Sequence, residues 1–215
     1  MDRLICALST HSSRLNIYLF DGKSDFSFSK KILNMDDILF KEIDKGLRKL
    51  KKSFTDISAL CIVKGPGRFT GIRISYTFAS ILKVISRCKV YGVDGFDLLA
   101  YKFFSKHSYE KKLCVVLRAF KNEYYYCLYK NDKRISKLGN PKWVFEDDLL
   151  KFIEKWDDPI ISDEEESNVY NLFKDKKIAA KNISRILPID VFNSAFYFKN
   201  TDIKPLYLKP AKFEL

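Results

Sequence analysis

The chain of 215 residues is 47% hydrophobic and 31% charged, the composition of an ordinary folded protein. No apolar stretch approaches the roughly 20 residues that a membrane-spanning helix needs, and the start Met1-Asp2-Arg3 shows no signal-peptide pattern. We therefore expect a cytoplasmic protein without membrane contact. Its five cysteines are scattered and accompanied by only two histidines, which predicts buried, reduced thiols and no metal site.

The formal net charge of +12 is compatible with a polyanionic partner such as tRNA. The charge is spread along the chain, however. Residues 1–100 carry 17 Lys and Arg against 10 Asp and Glu, and residues 101–215 carry 22 against 17. A direct tRNA-binding module therefore stays an alternative beside an evenly lysine-rich surface.

The first hundred residues predict the order βββαβαβα. Strands at 4–8 and 16–20 flank a polar turn at 9–13, and a third strand follows the tight turn Asp21-Gly22. A helix at 36–52 has one apolar face, and it is followed by a strand at 59–63, a helix at 71–87, a strand at 89–93 and a helix at 96–104. This order indicates a mixed sheet with helices packed on it, forming a first lobe over residues 1–100.

Residues 101–215 predict a second, smaller lobe. Two strands at 113–118 and 124–130 are predicted to form a hairpin. A helix near 147–155, a short strand at 159–162 and a helix near 167–173 follow. The tail KPLYLKP, residues 204–210, is predicted to be extended because each proline disfavours a helical residue before it.

The stretch KGPGRFTGIR, residues 64–73, places three of the eight glycines between a strand and a helix. Gly65, Gly67 and Gly71 supply backbone freedom, and Thr70 is a candidate N-cap of the helix. Free N–H groups at such a helix start bind anions. The spacing nevertheless matches neither the P-loop nor the dinucleotide-binding glycine pattern.

Arg68 and Arg73 flank this helix start, where the helix dipole is already positive. Cations there cost up to about 1 kcal/mol unless an anion lies between them and the dipole. They favour a bound phosphate or a partner's carboxylate. The alternative is that they pair with acids of this chain or extend into water.

The helix behind the loop has two apolar stripes. Ile74, Phe78, Ile81 and Ile85 follow helical spacing and predict the core face, whereas Ile72, Tyr76 and Ala79 lie about 160° around the helix. A helix that is apolar on two sides is either deeply buried or shared with another chain. We expect the second stripe to contact a partner, since Ala79 and Ser80 are small enough to admit another helix.

The sequence gives little support for catalysis by this chain alone. A phosphotransferase of the two-lobed, actin-like kind needs a carboxylate on its first hairpin, and the turn at 9–13 has no acid. The histidines, His11 and His107, lie in polar loops without clear partners for nucleophilic catalysis. We expect no catalytic residues. A small-molecule kinase or a peptidase of the same superfamily stays the alternative.

Several segments in order along the chain resemble the TsaB (YeaZ) family, which is also known as a glycoprotease-like, peptidase M22 family. The strongest is SFTDISALCIVKGPGRFTGIRIS, which is similar to the family signature GPGSFTGxR with its preceding strand. The opening LICALSTHSSRLNIYLFDG, the segments VYGVDGFDLLA and LRAFKNEYYYCLY, and the ending PLYLKP extend the resemblance over nearly the whole chain.

This resemblance implies an α/β fold of the actin/Hsp70-like ATPase class (ASKHA, ribonuclease H-like), with two lobes of mixed sheet flanked by helices. It implies a non-catalytic accessory subunit that binds the related TsaD, with TsaE, in the threonylcarbamoyl transfer to the adenosine beside the tRNA anticodon. No cofactor is expected on this chain alone. ATP or ADP and a metal are expected in the complex with TsaD, tRNA is reached through that complex, and the isolated chain is expected to form a homodimer.

Residues carried over from the family fall into three groups. The glycine-loop motif comprises Gly65, Pro66, Gly67, Arg68, Phe69, Thr70, Gly71 and Arg73. The expected partner interface lies on the two helices and comprises Leu39, Ile43, Ile72, Tyr76, Ala79, Ser80 and Lys83. A vestigial nucleotide turn comprises Ser9, Thr10 and Ser12.

Three positions depart from the family pattern. Ser9-Thr10-His11 stands where Asp-Thr-Ser is usual, Arg68 replaces a serine of the signature, and Arg118 lies where the second-lobe hairpin commonly has an aspartate. All three departures point away from ATP chemistry by this chain.

Overall fold

The computed structural model describes residues 4–163, 167–173, 176–177, 183 and 185–208. Two expectations above fall partly outside this set: the one on the start of the sequence, residues 1–3, and the one on the last two residues of the tail, 209–210. The chain divides into two compact units: unit 1 is Met1–Gly95 with Leu187–Leu206, and unit 2 is Phe96–Ile186 with Tyr207–Leu215. The predicted division at residue 100 is thus close to the first boundary, but the assignment of all later residues to the second lobe fails for Leu187–Leu206.

Strands and helices alternate along the described chain. In chain order they are β1 (Leu4–Ser9), β2 (Arg14–Phe20), β3 (Asp25–Lys31), α1 (Met35–Lys49), β4 (Ile57–Val63), α2 (Phe69–Ile85), β5 (Lys89–Val93), α3 (Gly95–Lys106), β6 (Lys112–Phe120), β7 (Glu123–Asn131), β8 (Ile135–Lys137), β9 (Lys142–Phe145), α4 (Glu146–Glu154), β10 (Ile160–Ile161), α5 (Ser167–Leu172) and α6 (Pro188–Phe198). None of the described helices is long and apolar enough to cross a membrane.

Unit 1 is built on a five-stranded mixed sheet with the order β3-β2-β1-β4-β5. The strands β1, β2 and β3 form the predicted antiparallel meander, and β4 and β5 run parallel to β1. The alternation of side chains along each strand sends one set of apolar residues to each face of the sheet. Both faces are therefore covered by helices.

Helices α1 and α2 cover one face of this sheet, and α6 covers the other. Where α1 and α2 pack on the sheet, the buried residues include Leu39, Ile43 and Leu47 of α1 and Phe78 and Leu82 of α2. On the opposite face the rings of Phe192 and Phe196 in α6 contact aromatic side chains of the sheet, namely Tyr18, Phe20 and Tyr91.

Unit 2 contains a second five-stranded mixed sheet. The strand order is β10-β6-β7-β8, with β9 also paired to β7. The strands β6 and β7 form the predicted hairpin, and β10 is parallel to β6. Apolar residues of α4 and α5, including Leu149, Ile153 and Val169, pack on one face of the sheet. The predicted class, two mixed sheets flanked by helices, is confirmed.

The sequence analysis did not identify α6, β8 and β9. The strands β8 and β9 have three and four residues, too few for a periodic pattern. Helix α6 carries apolar residues around much of its circumference, which obscures a single stripe. Its start signals are present, because Pro188 occupies the first turn and the Asp190 carboxylate accepts a hydrogen bond from the Leu187 N–H at 2.7 Å.

All five cysteines are free and buried, as predicted. Burial raises the pKa of the Cys61 thiol to about 12. The Cys61 thiol therefore stays protonated at physiological pH, and the buried cysteines act as small apolar core residues.

Candidate functional site

The glycine loop and the start of α2 lie directly on the backbone of the turn between β1 and β2. A Cβ atom on Gly67 would overlap the carbonyl oxygen of His11, and one on Gly71 would overlap that of Thr10. Both positions therefore require glycine for close approach rather than for an unusual backbone angle. We call this contact the turn–loop contact; it comprises Thr10 and His11 on one side and Gly67 and Gly71 on the other.

Hydrogen bonds reinforce the turn–loop contact. The Arg68 N–H donates to the His11 carbonyl at 2.7 Å, and the buried Thr10 hydroxyl donates to the Gly71 carbonyl at 2.6 Å. The Thr10 hydroxyl also lies in a short hydrogen bond with that of Ser75 in α2. The polar groups of the turn are thus bound by this chain's own glycine loop and helix.

His11 is buried in the turn, and its Nδ1 lies 2.9 Å from the Ser9 hydroxyl. Burial lowers the pKa of this imidazole to about 4, so it is neutral at physiological pH. The serine and histidine have the composition of a nucleophile–base pair, but Ser9 is also fully buried and no substrate can reach its hydroxyl. The pair is a structural hydrogen bond.

The other members of the predicted vestigial nucleotide turn are similarly engaged. Thr10 is fully buried, and the Ser12 hydroxyl accepts a hydrogen bond from the Arg14 N–H at 3.1 Å. In unit 2, the Arg118 Nε donates to the Phe120 carbonyl at 3.4 Å within the hairpin.

Helix α2 begins two residues earlier than predicted. Its first residue is Phe69, and Arg68, with extended backbone, is the N-cap. The prediction that Thr70 is the N-cap is therefore wrong, because the close packing of Gly71 on the turn draws the residues before it into the first helical turn.

Arg68 and Arg73 are exposed on the surface at this helix start. In the part of the chain that the structure describes, neither guanidinium forms a salt bridge with a carboxylate. The Arg73 guanidinium lies over the Phe69 ring, 5.4 Å from its centroid. The sequence left open whether these two arginines pair with acids of this chain. Among the described residues, no such pair is observed.

The two apolar stripes of α2 are only partly placed as predicted: Phe78 of the expected core stripe is buried, and Ile74 packs against the core. Ile72 and Ala79, expected to contact a partner, are 0% and 1% exposed, and Tyr76 packs against the same core. Ile81 and Ile85, expected in the core, are 38% and 48% exposed. The physical reason is the row of small residues Gly71, Ser75 and Ala79, which lets the helix approach its own turn and sheet.

The assignments on α1 need the same correction. Leu39 and Ile43, expected at the partner interface, are buried in the core of unit 1. Their neighbour Phe40 is 45% exposed and meets the Phe78 ring of α2 edge-on, with ring centroids 5.6 Å apart. On α2, Ser80 and Lys83 are exposed as expected. Contact of any of these residues with a partner stays a prediction.

The exposed apolar residues of the two helices form a face that runs beside a groove. We call it the two-helix face; it comprises the exposed Phe40 on α1 and, on α2, the exposed Ile81, Val84 and Ile85 with the half-buried Ile74. Val84 alone is 82% exposed. The groove between the helices measures about 310 Å³, and its apolar lining consists of Leu39, Phe40, Ile74, Phe78 and Ile81.

A wider groove of about 620 Å³ lies at the first turns of the same helices and shares Asp36, Thr70 and Ile74 with the narrower one. Its lining is mixed: Leu33 and Phe69 are apolar and exposed, Asp36 and Asp37 lie on α1, and Arg68 lies beside α2. The groove thus has acidic residues from α1 and a basic residue beside α2, and Thr10 and Ser12 of the β1–β2 turn also line it.

Comparison with known proteins identifies the family. Residues 34–187, well over half of the chain, match the family described as TsaD: tRNA N6-adenosine threonylcarbamoyltransferase. The chain belongs to this family. Within it, the chain is similar to proteins named tRNA threonylcarbamoyladenosine biosynthesis protein TsaB, which confirms the resemblance to TsaB (YeaZ).

Two such relatives come from strains of Buchnera aphidicola. The protein from the subspecies Acyrthosiphon pisum is 26% identical over 96% of this chain and 99% of its own length. The protein from the subspecies Schizaphis graminum is 26% identical over 73% of this chain and 77% of its own. The similarity to the first therefore extends over both units.

Solved structures show the same fold. YeaZ from Pseudomonas aeruginosa superposes with a TM-score of 0.71 at 16% identity, over 96% of this chain and all of that one. A Pseudomonas aeruginosa protein described as similar to peptidase YEAZ gives a TM-score of 0.75 at 17% identity with the same coverage.

The turn–loop contact predicts that Gly71→Ala destabilises the protein by about 3 kcal/mol, because the overlap with the Thr10 carbonyl must be relieved by moving α2 or the turn. This exceeds the roughly 1 kcal/mol that alanine gains over glycine inside a helix. Urea denaturation measures the change. Thr77→Ala, at an exposed position of the same helix, is the control and should lie within about 0.5 kcal/mol of the wild type. Equal effects of the two substitutions would contradict the contact.

The buried His11 predicts a loss of stability in acid. The unfolded chain protonates this histidine below about pH 6.5, whereas the folded protein resists protonation until about pH 4, so stability falls as the pH drops between these values. At about 1.4 kcal/mol per pH unit the whole loss is about 3 kcal/mol. Free energies of unfolding at pH 7 and pH 4.5 should differ less in His11→Asn than in the wild type. An identical pH dependence would show that the imidazole is not buried neutral.

Proposed function

We propose that this protein is an accessory, non-catalytic subunit of the tRNA threonylcarbamoyladenosine pathway. It binds TsaD through the two-helix face and, together with TsaE, supports threonylcarbamoyl transfer to tRNA. The observation that carries the proposal is the exposed apolar surface on α1 and α2, in a chain that belongs to the TsaD family.

The names of the relatives support the pathway. The Buchnera aphidicola proteins are called tRNA threonylcarbamoyladenosine biosynthesis proteins, and one of them aligns over nearly the whole of both chains. An accessory role is in keeping with a chain that shares a family with a transferase and has its first turn engaged internally.

The chemistry of the two-helix face supports a protein partner. Interfaces carry apolar and aromatic residues at their centre and charged residues at their rim. Here Phe40, Ile81 and Val84 give an apolar centre, and the charged residues Asp36, Asp37, Arg68 and Arg73 lie at one end. Scattered apolar residues on a surface are ordinary, but a contiguous patch on two neighbouring helices marks an interaction site.

The charged end of the face restricts the partner. Asp36 and Asp37 at the start of α1 complement its helix dipole, whereas Arg68 and Arg73 at the start of α2 oppose theirs. A partner that places a carboxylate near Arg68 and a cation near Asp36 relieves this imbalance. We propose that TsaD supplies both charges, which favours the heterodimer over a homodimer of this chain.

The engaged turn supports a non-catalytic role. Binding a nucleotide phosphate at the turn between β1 and β2 requires free donors there, whereas the Thr10 hydroxyl is bound to Gly71 and Ser75. Gly67 also lies directly against the backbone of His11 in the turn. ATP or ADP and the metal of the complex are accordingly proposed to lie with TsaD.

Two substitutions on the two-helix face test the proposal. Phe40→Glu and Val84→Glu each place a carboxylate at the apolar centre, and we expect each to weaken binding to TsaD at least ~100-fold, on the order of 3 kcal/mol. Titration calorimetry with purified TsaD measures the affinity. Circular dichroism should show an unchanged fold, because both side chains are already exposed.

Tyr109→Glu is the matched control. Tyr109 is also aromatic and 70% exposed, but it lies in the turn after α3 and outside the two-helix face. Binding should be unchanged in this variant. If Phe40→Glu and Val84→Glu bind TsaD as the wild type does, the assignment of the face is wrong.

A further inference from the structure

The last residues of unit 1 run beside the glycine loop without helix or strand structure. We call residues 200–206 the C-terminal strap. Its backbone is anchored at three points: the Asn200 carbonyl accepts from the Gly92 N–H at 2.8 Å, the Asp202 carbonyl accepts from the Lys64 Nζ at 3.1 Å, and the Leu206 N–H donates to the Lys64 carbonyl at 2.9 Å. Two of the three bonds are made to Lys64, the residue before the loop.

The strap contacts the glycine loop, and the glycine loop in turn contacts α2. A Cβ atom on Gly65 would lie 2.8 Å from the Leu206 carbonyl oxygen and 3.0 Å from Cδ1 of Ile72, and Gly65 has a φ of +113°. Gly65 is thus held between the strap on one side and the first turn of α2 on the other. There is no space for a methyl group, so a movement of the strap is transmitted to Ile72.

Three separate elements fix the backbone of the loop. The Gly95 N–H donates to the Gly65 carbonyl at 2.8 Å, and the Arg68 N–H donates to the His11 carbonyl at 2.7 Å. The third restraint is the hydrogen bond that the Leu206 N–H donates to the Lys64 carbonyl. Leu206 lies about 140 positions further along the chain than Lys64. Leu206 belongs to the tail KPLYLKP, which was predicted only to be extended, so this tail supplies the restraint.

We propose that the C-terminal strap is a positioning element of the partner site. By holding Lys64 and Gly65, it keeps the start of α2, with Phe69 in the first turn and Arg73 just after it, in the conformation that shapes the charged end of the two-helix face. This inference rests on the proposed function. A loop freed from the strap populates other conformations, and the apparent affinity for TsaD falls in proportion to the competent fraction.

Leu206→Pro in the full chain tests the restraint, because proline removes the N–H that bonds to Lys64. We expect amide hydrogen exchange at Arg68 and Gly95, measured without TsaD, to rise at least tenfold. Binding to TsaD should weaken about tenfold, while far-UV circular dichroism stays that of the wild type. Lys64→Met removes only the bond to Asp202 and should give a smaller change in the same direction.

Leu206→Ala is the control, since it removes the side chain and keeps the N–H. Exchange at Arg68 and Gly95 within twofold of the wild type in Leu206→Pro, or equal increases in Leu206→Pro and Leu206→Ala, would overturn the proposal. Faster exchange with unchanged TsaD affinity would overturn the positioning role as well. If the wild type fails to bind TsaD, the proposed function is refuted. The restraint by the strap is still tested, because the exchange measurement needs no partner.

Discussion

The contact between the β1–β2 turn and the glycine loop determines how the functional surface of unit 1 is built. Thr10 and His11 present backbone carbonyls to Gly67 and Gly71, and neither glycine has space for a side chain. Two hydrogen bonds and a buried, neutral His11 complete the contact. Because α2 starts within this contact, the position of its first turn follows from it. The direction of α2 then decides which of its two apolar stripes faces the core and which faces outward.

The same contact underlies our proposal that the chain binds a partner and that the nucleotide lies with TsaD. A phosphate site at this turn needs free donors, and here the Thr10 hydroxyl is hydrogen-bonded to Gly71 and Ser75 of the chain itself. What the arrangement leaves exposed is apolar: Phe40, Ile81, Val84 and Ile85 on two neighbouring helices. A protein with this surface and an occupied turn is suited to assembly with a catalytic relative, in agreement with its membership of the TsaD family.

Local signals in the sequence predicted much of the fold. The meander β1–β3, the helices α1 and α2 and the β6–β7 hairpin each have a clear hydrophobic period, and all are present. The orientation of α2 was only partly predicted: Phe78 is buried as expected, but Ile72 and Ala79 are buried as well and Ile81 is exposed. Both stripes are apolar, and periodicity alone does not distinguish them. The row Gly71, Ser75 and Ala79 was the available signal, since small residues mark a close approach. The turn–loop contact joins residues about sixty positions apart, for example Thr10 and Gly71, and no local pattern reports such a pairing.

The account depends on the two-helix face being the surface that a partner covers. Hydroxyl-radical footprinting of the chain, alone and mixed with TsaD, measures this directly through the reactivity of exposed aromatic rings. The account predicts that Phe40 of the two-helix face and Phe69 at its charged end lose most of their reactivity in the complex, while Tyr109, an exposed residue of unit 2, keeps its own. A complex in which Phe40 and Phe69 stay as reactive as in the free chain would contradict it.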